Sequence, residues 1–278
     1  MEVILVTEFV LLSLIIKIAV EMKRIFYITF IVNITFWVAI SNPAFAQCGL
    51  DKSKWKLVYS EDFNEANVDA LLDNGWEIGD PHHPGPAQLS VQTCGEGSSY
   101  MCSTQDQINL SNGLGYFNVQ KKQPFNCQGE TAIYETAFMS SIFDEFPYPQ
   151  YQNPGNERPG YVFGMFEIRC KLPRQNYSFP AFWLSGNTWP PEIDVFEYYG
   201  GTHNKFWSTV HWPAAIPGTG QNCQNTFQYS FDLTRDFHTF TLVWTPRQIT
   251  WFLDGKELKT DKRPPHQPLQ ALIDQGLY

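Results

Sequence analysis

The sequence predicts an all-β protein built as a two-sheet sandwich. Short apolar or alternating segments recur along the chain, separated by Gly, Pro and Asn. Helical periodicity is weak almost everywhere, which leaves little material for a helical layer. Asp254-Gly255 lies between two strand-like segments and carries the signature of a tight hairpin. A length of 278 residues suits one large domain of this class.

The N-terminus holds two apolar runs, Val3 to Val20 and Ile25 to Phe45. The second follows Met22-Lys23-Arg24 and ends in Ala44-Phe45-Ala46. A basic start, an apolar middle and a small-residue end read as a secretory signal peptide cleaved after Ala46. Met22 is then an alternative initiator, and a transmembrane anchor is the competing reading. Residues 1–46 are therefore set apart from a single domain over 47–278. Export would place the protein outside the cell or in the periplasm, touching a membrane only through the signal.

Trp55 to Asn64 alternates enough for an opening strand closed by a polar turn. Residues 80–107, rich in Pro, Gly, Ser and Gln, read as long surface loops. Strands are expected at Leu114 to Lys121 and Ala132 to Ser140. Prolines at 147, 149, 154 and 159 make Phe146 to Gly160 a loop. Val162 to Leu172 alternates, and Ser178 to Ser185 is nearly continuous apolar sequence. After a Gly186-Asn187-Thr188 turn come an acidic strand at 192–199, then Phe206 to Trp212, Phe237 to Trp244 and Ile249 to Leu253. The last turns through Asp254-Gly255 into Lys256-Glu257-Leu258.

The formal net charge of -9 argues against nucleic acid as a partner, since phosphate binding needs a basic surface. Aromatic residues make up 16% of the chain, including 9 Trp, and serve both cores and sugar platforms. The six cysteines form no CxxC pair, so a zinc knuckle is not expected. Cys94 and Cys102 flank one polar loop and are the expected disulfide, with buried free thiols as the alternative. His82, His83, His203 and His266 show no metal spacing, and His238 reads as structural.

The acidic strand carries the chemistry. Glu192, Asp194 and Glu197 sit among Ile193, Val195 and Phe196. Three acids in a buried strand cost desolvation and mutual repulsion, so a functional use is expected. Strand alternation puts residues 192 and 194 on one face and residue 197 on the other. One extra residue, a β-bulge around Val195-Phe196, would return Glu197 to the same face. Two carboxylates on one surface suit glycosidic-bond hydrolysis, with a structural calcium site as the alternative. Trp189 is the best sugar platform by position, just before the acids. Trp212 and His211 follow on the next strand, and Trp183 divides between core and cleft.

Five segments in order resemble glycoside hydrolase family 16. They are Lys56 to Asn64, Phe163 to Arg169, Phe179 to Leu184, Glu192 to Glu197, and Phe237 to Thr241 with Trp251 to Gly255. The resemblance implies a β-jelly-roll sandwich of two curved antiparallel sheets, concanavalin A-like, with a sugar cleft on the concave sheet. It implies Glu192 as nucleophile, Glu197 as acid/base, Asp194 as the helper acid between them, and a histidine such as His211 near the acids. The implied activity is retaining, endo-acting cleavage of a β-linked polysaccharide, a β-1,3-glucan or a marine galactan, with no cofactor and as a monomer. Pro191 stands where the laminarin-cutting branch usually has Gly. The modest Lys and Arg count favours a neutral glucan. The family continues past a segment like Gln275-Gly276-Leu277-Tyr278 into further strands. A C-terminal truncation, an open sheet edge and poor solubility are therefore expected, and the family's structural calcium site cannot be assigned. A non-catalytic glucan-binding relative typically lacks the glutamates present here, whereas a transglycosylase would use the same residues.

Overall fold

The computed structural model describes residues 27–39, 50–78, 88–93, 98–127, 130–141, 161–176, 178–185, 191–213 and 220–261. Trp189, Cys94, the expected cleavage point after Ala46, the expected loop at 146–160, the 186–188 turn and the segment 275–278 lie outside them. Among the described residues the strands are β1 (Tyr27–Ala39), β2 (Trp55–Glu61), β3 (Trp76–Ile78), β4 (Gln88–Thr93), β5 (Ser98–Ser103) and β6 (Ile108–Leu110). Next come β7 (Gly115–Cys127), β8 (Glu130–Thr136), β9 (Met139–Ser141), β10 (Gly164–Lys171), β11 (Ala181–Ser185) and β12 (Glu192–Glu197). The last are β13 (Lys205–Pro213), β14 (Gly220–Gln228), β15 (His238–Thr245), β16 (Gln248–Leu253) and β17 (Lys256–Asp261). A short α-helix among the described residues, α1 (Val68–Asp73), is capped by the Asn67 side chain accepting from the Ala70 N–H.

The strands form a β-jelly-roll sandwich. An 11-stranded sheet runs β17-β16-β15-β10-β1-β7-β8-β5-β4, with β2 on β1 and β6 on β7; a 4-stranded sheet runs β11-β12-β13-β14. Pairing is antiparallel except between β5 and β8. Inward residues of β15 and β16 (Phe240, Leu242, Trp244, Ile249, Trp251, Leu253) are buried against those of β12 and β13 (Ile193, Val195, Phe196, Phe206, Val210). Phe240 is the hub, with its ring centroid 4.4 Å from Phe196 and 5.1 Å from Phe206. The expected hairpin is present: Asp254 (φ 51) and Gly255 (φ 76) make the left-handed pair that joins β16 to β17.

Three differences from the sequence reading have physical causes. Residues 88–93 and 98–103, expected as loop, are the paired strands β4 and β5. Their Ser and Gln content hides the alternation because they lie at the far end of the sheet. Cys102 bonds to Cys127, 25 residues away, rather than to Cys94. The bond joins β5 to the end of β7, so strand placement overrides loop proximity. Tyr27–Ala39, expected as the apolar middle of an export signal, is strand β1, lying between β10 on one edge and β2 and β7 on the other. A run of β-branched and aromatic residues has the composition for either state.

Candidate active site

The site is built on β12 by a single irregularity. On one side Phe182 pairs with Phe196 and Trp183 with Asp194; on the other Ile193 pairs with Val210 and Glu197 with Trp207. Four steps along β12 thus match three along β13, which is a one-residue β-bulge at Val195. The expected bulge is there. It turns Glu192, Asp194 and Glu197 to one face, while Ile193, Val195 and Phe196 are all buried on the other. The bulge buries both Val195 and Phe196.

A bulge frees backbone groups that the ladder would have paired. Here two side chains take them up. Ser208 Oγ donates to the Val195 carbonyl at 2.8 Å, and Trp251 Nε1 donates to the Asp194 carbonyl at 3.0 Å. Ser208 and Trp251 are themselves buried, so the distortion is held from both the neighbouring strand and the opposite sheet.

Register carries the open face outward from the acids. Glu192 lies opposite His211, and His211 opposite Asn222; Glu197 lies opposite Trp207, and Trp207 opposite Thr226. His211 Nε2 stands 3.1 Å from Asp194 Oδ2 and 3.4 Å from Glu192 Oε1. Thr209 Oγ1 donates to Glu197 Oε2 at 3.2 Å. Trp183 faces the same side as Asp194 and packs on Phe138, with centroids 5.1 Å apart. Trp212, one residue past His211, falls by alternation on the other face and packs against the core. The structure therefore gathers Glu192, Asp194, Glu197, His211 and Trp183, and sets Trp212 apart from them.

Protonation follows from burial and crowding. Burial pushes the Glu197 carboxyl up to about 7, and the nearby Asp194 charge adds to the rise. Burial raises Asp194 as well, against the pull of its His211 hydrogen bond. Burial draws His211 downward, but the Asp194 hydrogen bond and the Asp194, Glu192 and Glu197 charges outweigh it, so its pKa is raised. Both His211 and Asp194 are thus harder to deprotonate than they would be in isolation. One ligand atom each from Glu192, Asp194 and His211 lie within 4.8 Å of one another. This mixed N/O set could accept a cation such as Zn²⁺ more readily than calcium, which takes oxygen ligands.

The sequence reading missed Phe138, Trp207, Thr209 and the exposed row Asn222, Gln224, Thr226 and Gln228 on β14. A strand with so many Gln and Asn residues gives no apolar signal; only alternating polar exposure beside β13 marks it.

Residues 144–272 match the family model "Glycosyl hydrolases family 16". A glucan endo-1,3-beta-glucosidase of Cryptopygus antarcticus is 32% identical over 128 residues, 44% of this chain and 45% of that protein. The endo-1,3-1,4-beta-glycanase EglC of Rhizobium meliloti is 32% identical over 237 residues, 81% of this chain and 47% of that protein. The chain thus spans about half the length of these curated relatives. The laminarinase catalytic domain of Thermotoga maritima shares the fold, with a TM-score of 0.54 and 23% identity over 80% of this chain and 84% of that one. The ordered motifs, the sandwich and the match over residues 144–272 identify that part of the chain as glycoside hydrolase family 16.

Proposed function

We propose that this protein is a secreted, retaining endo-β-glycanase that acts on a neutral β-1,3-linked glucan as a monomer. The observation that carries the proposal is the bulge at Val195, which aligns three acids on an open sheet face and leaves one of them, Glu197, raised to about 7. A carboxyl that keeps its proton near neutral pH can serve as a general acid.

In the proposed reaction a Glu192 oxygen attacks the anomeric carbon while Glu197 gives its proton to the departing glycosidic oxygen. The bond to the leaving sugar breaks with its electron pair, and a glycosyl ester on Glu192 forms. Glu197, now ionised, takes a proton from water, whose oxygen displaces Glu192 and restores the first configuration. His211 stands between Glu192 and Asp194 and holds both carboxyls in register. Thr209 fixes one Glu197 oxygen and leaves the other for the substrate.

The names of the matched relatives support a glucan, and the acidic net charge of -9 disfavours a sulfated chain. Reducing-sugar release from laminarin, mixed-linkage glucan, agarose, porphyran and κ-carrageenan tests this, with laminarin expected fastest. Release only from a sulfated galactan would overturn the substrate assignment. Azide should rescue Glu197→Ala on an activated aryl β-glycoside and yield the β-glycosyl azide. N-terminal sequencing of the exported protein tests the signal, with Gln47 expected first. That cleavage would also remove the β1 segment, so the same experiment reports whether β1 belongs to the mature sheet.

A further inference from the structure

Beyond Glu197 the open face carries an aromatic group that the mechanism above does not use. Glu197 is half-buried, Tyr198 is fully buried and Tyr199 is 47% exposed, so alternation puts Tyr199 on the Glu197 side. The Tyr199 ring centroid lies 4.8 Å from Phe179 and 4.8 Å from Trp207. Trp207 is the residue directly opposite Glu197 on β13. Three rings therefore make one continuous wall, from the segment before β11 through the end of β12 to β13, starting beside Glu197.

The wall is preorganised. The Tyr198 N–H donates to the Pro180 carbonyl at 3.0 Å, and the Gly200 N–H to the Ser178 carbonyl at 2.8 Å. Gly200 permits that approach: a Cβ there would meet the Gln175 carbonyl oxygen at 2.2 Å. Both sides of Tyr199 are thus tied to the segment that carries Phe179. The Lys205 ammonium lies 4.9 Å from the Trp207 ring centre, a cation–π contact that helps to hold that ring.

We propose that Phe179, Tyr199 and Trp207, with Lys205, form a sugar subsite that binds a pyranose ring of the polysaccharide outside the bond being cut. Phe231, the other large apolar side chain that is comparably exposed among the described residues, has no such connection to the acids. The chemistry is that of a pyranose: aromatic rings for its C–H face and donors or acceptors for its hydroxyl edge. Lys205 and its register partner Gln228 supply the latter on the same face. Tyr199 lies two residues past Glu197, just beyond the end of β12 and roughly 7 Å along the chain, so the ring it contacts flanks the scissile linkage rather than occupying it. The inference rests on the glycanase reading, because the occupant is that enzyme's substrate.

The test compares wild type, Tyr199→Ala and Tyr199→Phe on laminarin and on a short aryl β-glucoside. Tyr199→Ala should lose about tenfold in kcat/KM on the polymer, mainly through KM, the equivalent of one lost stacking contact. The short substrate should lose at least five times less, and Tyr199→Phe should recover most of the loss. Equal losses on both substrates, or no loss on the polymer, would overturn the subsite. Calorimetric binding of laminarihexaose separates this from the activity itself. If the wild type cuts nothing, weaker binding by Tyr199→Ala still supports the subsite, whereas unchanged binding, or no binding by wild type, removes it.

Discussion

Glu61 and Glu197 are both buried carboxyls raised to about 7, yet they are built for opposite ends. Glu61 is 3% exposed and spends both oxygens on the protein. Oε1 accepts the Phe63 N–H at 2.6 Å, and Oε2 accepts Trp76 Nε1 at 3.2 Å. It holds Phe63 at a left-handed φ of 55 and ties β2 to β3, which makes it a fastener. Glu197 has one oxygen held by Thr209 and sits on an open sheet face among the other acids. A raised pKa therefore does not by itself mark a working acid; the acid role proposed for Glu197 rests also on its uncommitted oxygen on an accessible face.

The largest expected difference between the two is catalytic. Glu197→Gln should cut turnover of laminarin by roughly 1000-fold, and Glu192→Gln by at least as much, with thermal melts near wild type. Glu61→Ala should do the reverse. It strands the Phe63 N–H and Trp76 Nε1, costing about 3 kcal/mol of stability, while kcat per folded molecule stays within twofold. Urea unfolding paired with active-site titration would check both, and an inactive but stable Glu61→Ala would break the distinction.

Ser208→Ala probes the bulge that separates the proposed acid Glu197 from the fastener Glu61. It leaves the buried Val195 carbonyl without its donor, at about 1–2 kcal/mol. Misalignment of Glu197 should lower kcat several-fold more than it raises KM, and Ser208→Thr should restore part of it. A loss of stability with kcat intact would make Ser208 merely a core residue.

The smallest effect is on the pH dependence of stability. Both carboxyls move from an ordinary 4.5 to about 7 on folding. Between those values the folded chain keeps protons that the unfolded chain has released, so stability falls as pH rises from about 4.5 to about 7. Glu61→Gln should flatten that fall in urea midpoints measured at pH 5 and pH 7.5. The rate should also fall above pH about 7 as Glu197 loses its proton, and that limb should survive in Glu61→Gln.

Much of the fold was readable because its core strands advertise themselves. Val162 to Leu172 alternates, and Asp254-Gly255 can close only a narrow set of turns. The site was readable for a sharper reason: the spacing of Glu192, Asp194 and Glu197 conflicts with period-two alternation, and one bulge resolves the conflict. What supports the bulge was not readable, since Ser208 and Trp251 lie 13 and 57 residues from the carbonyls they hold. The polar strand β14 and the Cys102–Cys127 bond were hidden similarly, because each depends on which strands become neighbours. Trp212 was misplaced although parity was available: if His211 faces the acids, its neighbour faces the core.

The central claim is that the bulge converts three buried acids into a double-displacement site on one sheet face. Proton NMR of the reducing ends freshly released from laminarin tests it most directly. Double displacement on this face should release the β-anomer first, with the α-anomer growing in only by mutarotation. Initial release of the α-anomer, or no release by a folded chain with both glutamates intact, would contradict it.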